Sequence, residues 1–344
     1  MKKIILLMLL CFMTQFSKAQ ELESILLAAR EDANKLTAAY INPAMNGLIY
    51  GMNSGWYHTA KVHKKLGFDL TIGFNASMVP TKDEIFSFAD LNLTSVTSTS
   101  SPTSATVAGS GNGATLTVST DVEYQGNTQN VSTTLEMPSG IKGDLPLSAI
   151  PTPALQLNVG LPLKMDAMIR VVPEINTDDV KGKLLGIGLK KEITGIFGPL
   201  DKLPLHVSLL AAYTSMDVSY AMDGDIVPGS NQRAEFDLSS FTAQAIASLN
   251  FPIINVYGGV GYTGGNSSLK MLGTYNLDYT ITGGPFDGQQ AIVPVTDPIN
   301  MDFDTSGFRA TLGARFSLGF FKIFGDYTIQ EYNTLSAGMA FSFR

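Results

Sequence analysis

The chain has 344 residues, a formal charge of −7 and only 15% charged residues, where a soluble domain averages about 25%. The acidic balance excludes nucleic acid as a partner. The single cysteine, Cys11, excludes a disulfide framework and a cysteine metal site. Glycine is abundant at 33, and 19 Phe and 12 Tyr stand against one Trp. A barrel whose outer face meets lipid can carry few charges in this way.

Lys2 and Lys3 precede an apolar run from Ile4 to Phe12, and Ser17-Lys18-Ala19 reads as a cleavage site before Gln20. Residues 1–19 therefore read as an export signal that removes Cys11. The run is too short to span a membrane, and no later segment has 18 consecutive apolar residues. An exported chain of this kind is periplasmic, secreted or a barrel. Residues 22–40 follow helical spacing through Leu22, Ile25, Leu26, Ala29, Ala33, Leu36 and Tyr40, and Asn42-Pro43 is expected to stop the helix.

Beyond this point the period becomes 2. Phe68, Leu70, Ile72 and Phe74 alternate with Asp69, Thr71, Gly73 and Asn75. Leu155, Leu157, Val159 and Leu161 form the next apolar row, then Ala167, Ile169 and Val171 with Arg170 behind them. Leu185, Ile187 and Leu189 follow, then Leu205 to Tyr213, Phe241 to Phe251 and Ile254 to Tyr262. Phe308, Ala310, Leu312, Ala314 and Phe316 oppose Arg309, Thr311, Gly313 and Arg315. Phe321, Ile323, Tyr327 and Ile329 oppose Lys322, Asp326 and Thr328. The last strand places Leu335, Ala337, Met339, Phe341 and Phe343 on one face, and Ser336, Gly338, Ala340, Ser342 and Arg344 on the other. The second face throughout is mostly Gly, Ser, Thr, Asn and Gln, as in a wet lumen.

The connections are sorted by length. Short turns at Leu318-Gly319, Pro252, 198–204 and 164–166 alternate with long links at 80–150, 217–237 and 263–305, with 331–332 and 176–182 as shorter surface loops. Residues 92–120, rich in Ser, Thr and Gly, read as surface loop with little power to form a core. The expected architecture is all-β: a closed antiparallel transmembrane barrel of about 10–14 strands, with ten clear in the sequence. Residues 20–46 form its helical plug, residues 47–344 the barrel and 80–150 a long extracellular loop. Lysine at Leu312 is expected to cost about 2–4 kcal/mol near the midplane, and lysine at Thr311 little.

Two sets of residues carry a family resemblance. The helix leading into Tyr40-Ile41-Asn42-Pro43-Ala44-Met45, then Gly55-Trp56-Tyr57 and Gly67-Phe68-Asp69, resembles the entry of the FadL-type (long-chain fatty acid transporter) outer-membrane superfamily. That resemblance implies an N-terminal hatch inside the lumen. Leu155–Pro162, Arg170-Val171-Val172-Pro173 and Gly325-Asp326-Tyr327 resemble an uncharacterised barrel family of Gram-negative Bacteroidota. The terminal strand, with its penultimate aromatic, resembles the segment read by the barrel-insertion machinery. Cell outer membrane, its lipid and that machinery are the implied location and partners.

Chemical motifs are few. Gly259-Val260-Gly261-Tyr262-Thr263-Gly264 fits GxGxxG but reads as a strand entering a loop, without the helix a dinucleotide fingerprint needs. Asp223-Gly224-Asp225 and Asp302-Phe303-Asp304 lack EF-hand spacing and read as acidic turns. His58, His63 and His206 form no HExxH zinc motif. No cofactor, metal or catalytic residue is expected. The lumen-facing candidates are Arg170, Arg309, Arg315, Lys322 and Asp326, either filling the barrel with salt bridges or biasing it toward an anionic solute. Leu22, Ile25, Leu26, Leu36, Asn42 and Pro43 are the candidate plug residues. Three functions fit: a passive channel for a hydrophobic or amphipathic solute, a structural or surface-partner barrel, and an outer-membrane lipid-acting enzyme. A lateral gap in the wall beside apolar side chains would favour the first.

Overall fold

A computed structural model of the chain describes residues 25–26, 28–124, 126–176, 180–196, 198, 203–222, 228–281 and 286–343. The expected export signal, Leu22, Asp223, Asp225 and Arg344 lie outside these residues. Among the described residues, the helix α1 (Arg30–Met52) precedes sixteen strands. They are β1 (Phe68–Ser77), β2 (Ile85–Ser87), β3 (Val96–Thr99), β4 (Thr103–Ala105), β5 (Thr115–Tyr124), β6 (Asn127–Glu136), β7 (Ile150–Leu161) and β8 (Met165–Asn176). The rest are β9 (Val180–Glu192), β10 (Leu205–Ala221), β11 (Gly229–Asn250), β12 (Ile254–Thr280), β13 (Gln290–Thr296), β14 (Ile299–Leu318), β15 (Phe321–Ile329) and β16 (Thr334–Phe343).

Ten of them form an antiparallel ring in the order β1, β7, β8, β9, β10, β11, β12, β14, β15, β16. Pairing of β1 with β16 and of β11 with β12 completes it. β13 adds to the far end of β12. The period-2 pattern is the cause: a sheet with one continuous apolar face can roll up, cover that face with lipid and leave no free edge. Every apolar row read from the sequence faces outward, including Ile72, Leu157, Ile187, Leu209, Val260, Phe308, Leu312 and Met339. Aromatic residues ring both ends of this belt. Phe68 stacks on Phe343 at 5.2 Å and Phe320 on Phe343 at 6.2 Å near the short turns, and Phe241, Tyr262 and Phe308 pack together toward the long loops. Among the described residues no helix is long and apolar enough to cross a membrane.

Three local expectations are corrected. Much of 217–237 and 263–305 is strand, not loop: β10 runs to Ala221, β11 starts at Gly229, and β12 extends over 27 residues to Thr280. Beyond the belt the outward side chains become polar, as at Asp217, Asp237, Asn266, Asp302 and Asp304. The alternation in hydropathy is lost there while the ladder persists. Asp302 and Asp304 thus lie on a strand, not in a turn. The 92–120 region does form a core. β3, β5 and β6 make a small sheet whose inner face, Leu116, Val118, Val131 and Leu135, is buried against α1 and β12.

The helix is the third case. It passes through Pro43 and ends at Met52 instead of stopping at Asn42. An interior proline removes one helical bond and costs roughly 3 kcal/mol in an isolated helix. Here Pro43 is buried, and its neighbours Tyr40, Ile41, Ala44 and Met45 join a large apolar cluster with Ile150, Met271, Met301 and Phe303. Tertiary burial outweighs the local penalty. Asn42 is on the exposed side of the same turn. Ile25, Leu26 and Leu36 belong to the same cluster, which sits above the belt at the long-loop end. Asp32 fixes the helix there by accepting from the Thr94 and Ser95 N–H groups at 2.9 and 2.6 Å. Tyr50 stacks on Tyr332 at 5.4 Å, and burial together with the Asp83 carboxylate pushes the Tyr332 phenol far above its ordinary range.

Candidate functional site

Below α1, residues 53–66 run down the lumen to the short-turn end, where β1 begins. The segment has no regular hydrogen bonding of its own, so its peptide groups need partners from the wall. Inward side chains supply them. Arg170 donates to Met52 O at 2.7 Å and Ser54 O at 3.1 Å, and Arg309 to Asn53 O at 2.7 Å and Ser54 Oγ at 3.1 Å. Asn75 donates to Gly51 O, Gln156 to Trp56 O, and Ser208 to Ala60 O. Further down, Glu192 accepts from Val62 N–H and Asp166 from His63 N–H. These bonds read peptide groups, so they clamp the path of the segment more than its side chains.

Shape complements the clamp. Trp56 is fully buried beneath the Arg170 guanidinium, 4.1 Å from its ring centroid. Gly186 and Gly188 face that indole, and a Cβ on either would come within about 3 Å of it. Gly259, the first glycine of the GxGxxG match, leaves room for the Tyr57 hydroxyl. The motif is therefore an ordinary part of β12. The wet lumen expected from composition is instead a packed one: Thr311, Thr328, Gln156 and Asn158 are all buried.

A charged chain closes the lower half. Arg315 lies 2.9 Å from His58 Nδ1, and His58 Nε2 3.5 Å from Asp69. His63 has Asp69 at 3.0 Å on one ring nitrogen and Asp166 at 3.1 Å on the other, so it is placed to donate twice. Lys190 completes the chain 3.0 Å from Asp166. Buried ion pairs of this sort add little net stability but fix one arrangement, since removing a single member strands a charge. Asp326 accepts from the Tyr257 hydroxyl at 2.9 Å. Lys322 is apart from the others at the short-turn rim, bound to Gly319 O.

Arg170 and Arg309 are thus brought together, Arg315 and Asp326 lie lower in the lumen, and Lys322 stands outside it. Sequence reading passed over Asp69, Asp166 and Lys190. All three occupy the polar phase of their strands, the signal that did select the arginines. Among the described residues no group of three or more His, Cys, Asp or Glu is placed to hold a metal, and no histidine ring is hydrogen-bonded to a serine.

The wall itself is incomplete at one place. β7 and β8 pair only from Gln156–Arg170 down to Leu161–Met165. Above that pair, 150–155 of β7 and 171–176 of β8 have no ladder between them. Prolines stand on both sides of the seam, Pro151 and Pro153 on β7 and Pro173 on the facing stretch of β8, where the register with β9 also shifts. The β1–β7 ladder runs unbroken through Pro151 and Pro153, so their missing N–H groups fall on the β8 side. Pro153 pairs with Phe74 and Val171 with Leu185, which places the seam in the long-loop half of the belt. Behind it stand Leu48, Ile49 and Met52 of α1 with Val172 and Leu184.

A closed antiparallel transmembrane barrel, with its own N-terminal segment threaded through the lumen and a seam in its wall, is the class these features define. The chain belongs to a family of unknown function, DUF6588, which it matches over residues 1–343. No curated protein matches it. Among solved structures it is similar to the attachment invasion locus protein Ail of Yersinia pestis, with 9% identity, 81% of this chain and 99% of that chain covered, and a TM-score of 0.26. The translocator domain of autotransporter NalP from Neisseria meningitidis gives 9% identity, 82% and 90% coverage and a TM-score of 0.28. The outer membrane protease OmpT from Escherichia coli gives 10%, 80%, 97% and 0.27.

Proposed function

We propose that this chain is an outer-membrane barrel, its short turns toward the periplasm, that passes an apolar or amphipathic solute sideways between the cell surface and the lipid. The observation that carries this reading is the β7–β8 seam, which lies at belt level and is backed by apolar side chains of α1. A solute leaving through it need not cross the polar clamp below Ser54. The reading is that of a FadL-like passive channel, not of an enzyme. The Arg170 and Arg309 donors engage the chain's own carbonyls, so a carboxylate head group is not part of the proposal.

The test is to give the seam its missing donors. Pro151→Val with Pro153→Val should restore the β7 donors that face β8, extending the ladder toward Pro173, while the outward face stays apolar. Uptake of a fluorescent long-chain fatty acid into liposomes carrying the full chain should then fall several-fold. Unchanged uptake in the double variant, or wild-type uptake no faster than in protein-free vesicles, would overturn the channel. The second outcome would favour the structural alternative, for which the packed lumen is the supporting observation.

A further inference from the structure

The charge of the molecule is distributed unevenly. At the short-turn end the exposed charged residues among the described ones are Lys61, Lys64, Lys65 and Lys164. Lys191 reaches the same place, bonded to Leu163 O. The carboxylates nearby, Asp69, Asp166 and Glu192, are all buried and bound within the lumen. A chain of net charge −7 thus presents a cationic rim at one end.

Two leucines stand among these lysines. Leu66 is 73% exposed and Leu163 78%, more than any other leucine among the described residues, the next being Leu312 at 68%. Both have left-handed backbone, with φ of 65°. A branched side chain is strained there and glycine would not be. The Leu66 N–H donates to Gly160 O at 2.8 Å, so the two leucines project from one spot on the rim. Packing inside the molecule explains neither. Immediately beside them begins the lower aromatic girdle, Phe68 on Phe343. Lysines flanking exposed leucines at the edge of a lipid belt are the pattern of an interfacial anchor: ammonium groups reach outward to phosphates while the apolar groups enter the acyl boundary.

We propose that this rim, built from Lys61–Leu66 and the turn between β7 and β8, is a docking surface for the phosphate headgroups of anionic phospholipids, with Leu66 and Leu163 inserted among the acyl chains. A soluble acidic protein would have no use for leucines at the edge of the lipid belt, so lipid is the partner the observations favour. The choice of phospholipid rests on the periplasm-facing orientation proposed above; the contact itself requires only that the barrel be in a membrane.

The experiment uses the full chain in neutral detergent micelles, titrated separately with phosphatidylglycerol and phosphatidylcholine, with retained lipid counted by native mass spectrometry. The wild type should retain phosphatidylglycerol in preference by about tenfold or more, as several lysines near an anionic surface require, and salt should weaken the preference. Lys61→Gln, Lys64→Gln, Lys65→Gln and Lys164→Gln combined should abolish it, whereas Lys35→Gln at the opposite end should not. Leu66→Gly with Leu163→Gly relieves the backbone and should fold at least as well, yet retain less of either lipid. Equal retention of the two lipids, an unaffected lysine variant, or displacement of the lipid by inorganic phosphate or polyglutamate would overturn the proposal. Fatty-acid uptake by the same preparations reports on the channel separately.

Discussion

Replacing Arg170 and Arg309 together by methionine should release the lumen segment and raise single-channel conductance in planar bilayers. Methionine keeps much of the volume while removing the donors. Met52 O and Asn53 O would each lose the guanidinium that now reaches them at 2.7 Å. Each buried carbonyl left unpaired costs about 1–3 kcal/mol, so the double change should cost roughly 2–6 kcal/mol. That is a large share of the 5–15 kcal/mol that holds an ordinary domain together. The barrel has its own ladder, complete apart from the seam, so the loss should fall on the threaded segment. Deleting residues 22–45 should do much less to conductance. Ile25, Leu26 and the described residues from Ala28 to Met45 pack in the cap above the belt, and the clamp begins at Gly51. A double variant that melts as a folded barrel with unchanged conductance would show that the clamp is not what closes the lumen. A large conductance after the 22–45 deletion would show that the cap, not the clamp, is the barrier.

The two faces of the barrel were legible because lipid imposes a strict period of 2 on every strand at belt level. The same phase placed Arg170, Arg309, Arg315 and Asp326 inward. What they bind was not legible. Asp326 binds the Tyr257 hydroxyl, and the arginines meet peptide carbonyls and ring systems of residues 52–58, a segment without period whose only mark is Gly55-Trp56-Tyr57. The seam was half visible. Pro151 and Pro153 stand in plain sight, but only the register with β1 reveals which neighbour loses the bonds. The upper parts of β10, β11, β12 and β14 were hidden for the opposite reason. Beyond the lipid both faces accept polar residues, so hydropathy no longer distinguishes an extended hairpin from a loop. Pro43 misled because its local penalty is real, while the burial that offsets it comes from strands more than 100 residues away.

Lysine at Leu312 and lysine at Thr311 should both be damaging, but through different faces of one strand. Leu312 is 68% exposed at belt level, so its lysine would meet lipid and cost about 2–4 kcal/mol near the midplane. In a wet lumen, water would hydrate the ammonium at position 311 and the change there would be mild. The structure removes that water. Thr311 is only 9% exposed, its Oγ1 lies 2.8 Å from Thr328 Oγ1, and it pairs with Gly259, against which the Tyr57 hydroxyl rests. A lysine there overfills a packed site, a change that typically costs 1–3 kcal/mol, and it should push Tyr57 aside. The readouts therefore separate. Urea titrations in lipid bilayers should show both variants destabilised relative to wild type. Conductance should rise for Thr311→Lys, because the lumen segment is displaced, and stay at the wild-type level in whatever fraction of Leu312→Lys inserts. Thr311→Val, which keeps the volume, should leave conductance unchanged. If Thr311→Lys folds with wild-type stability and conductance, the lumen at that level holds water and the packed segment described here is not its resting occupant.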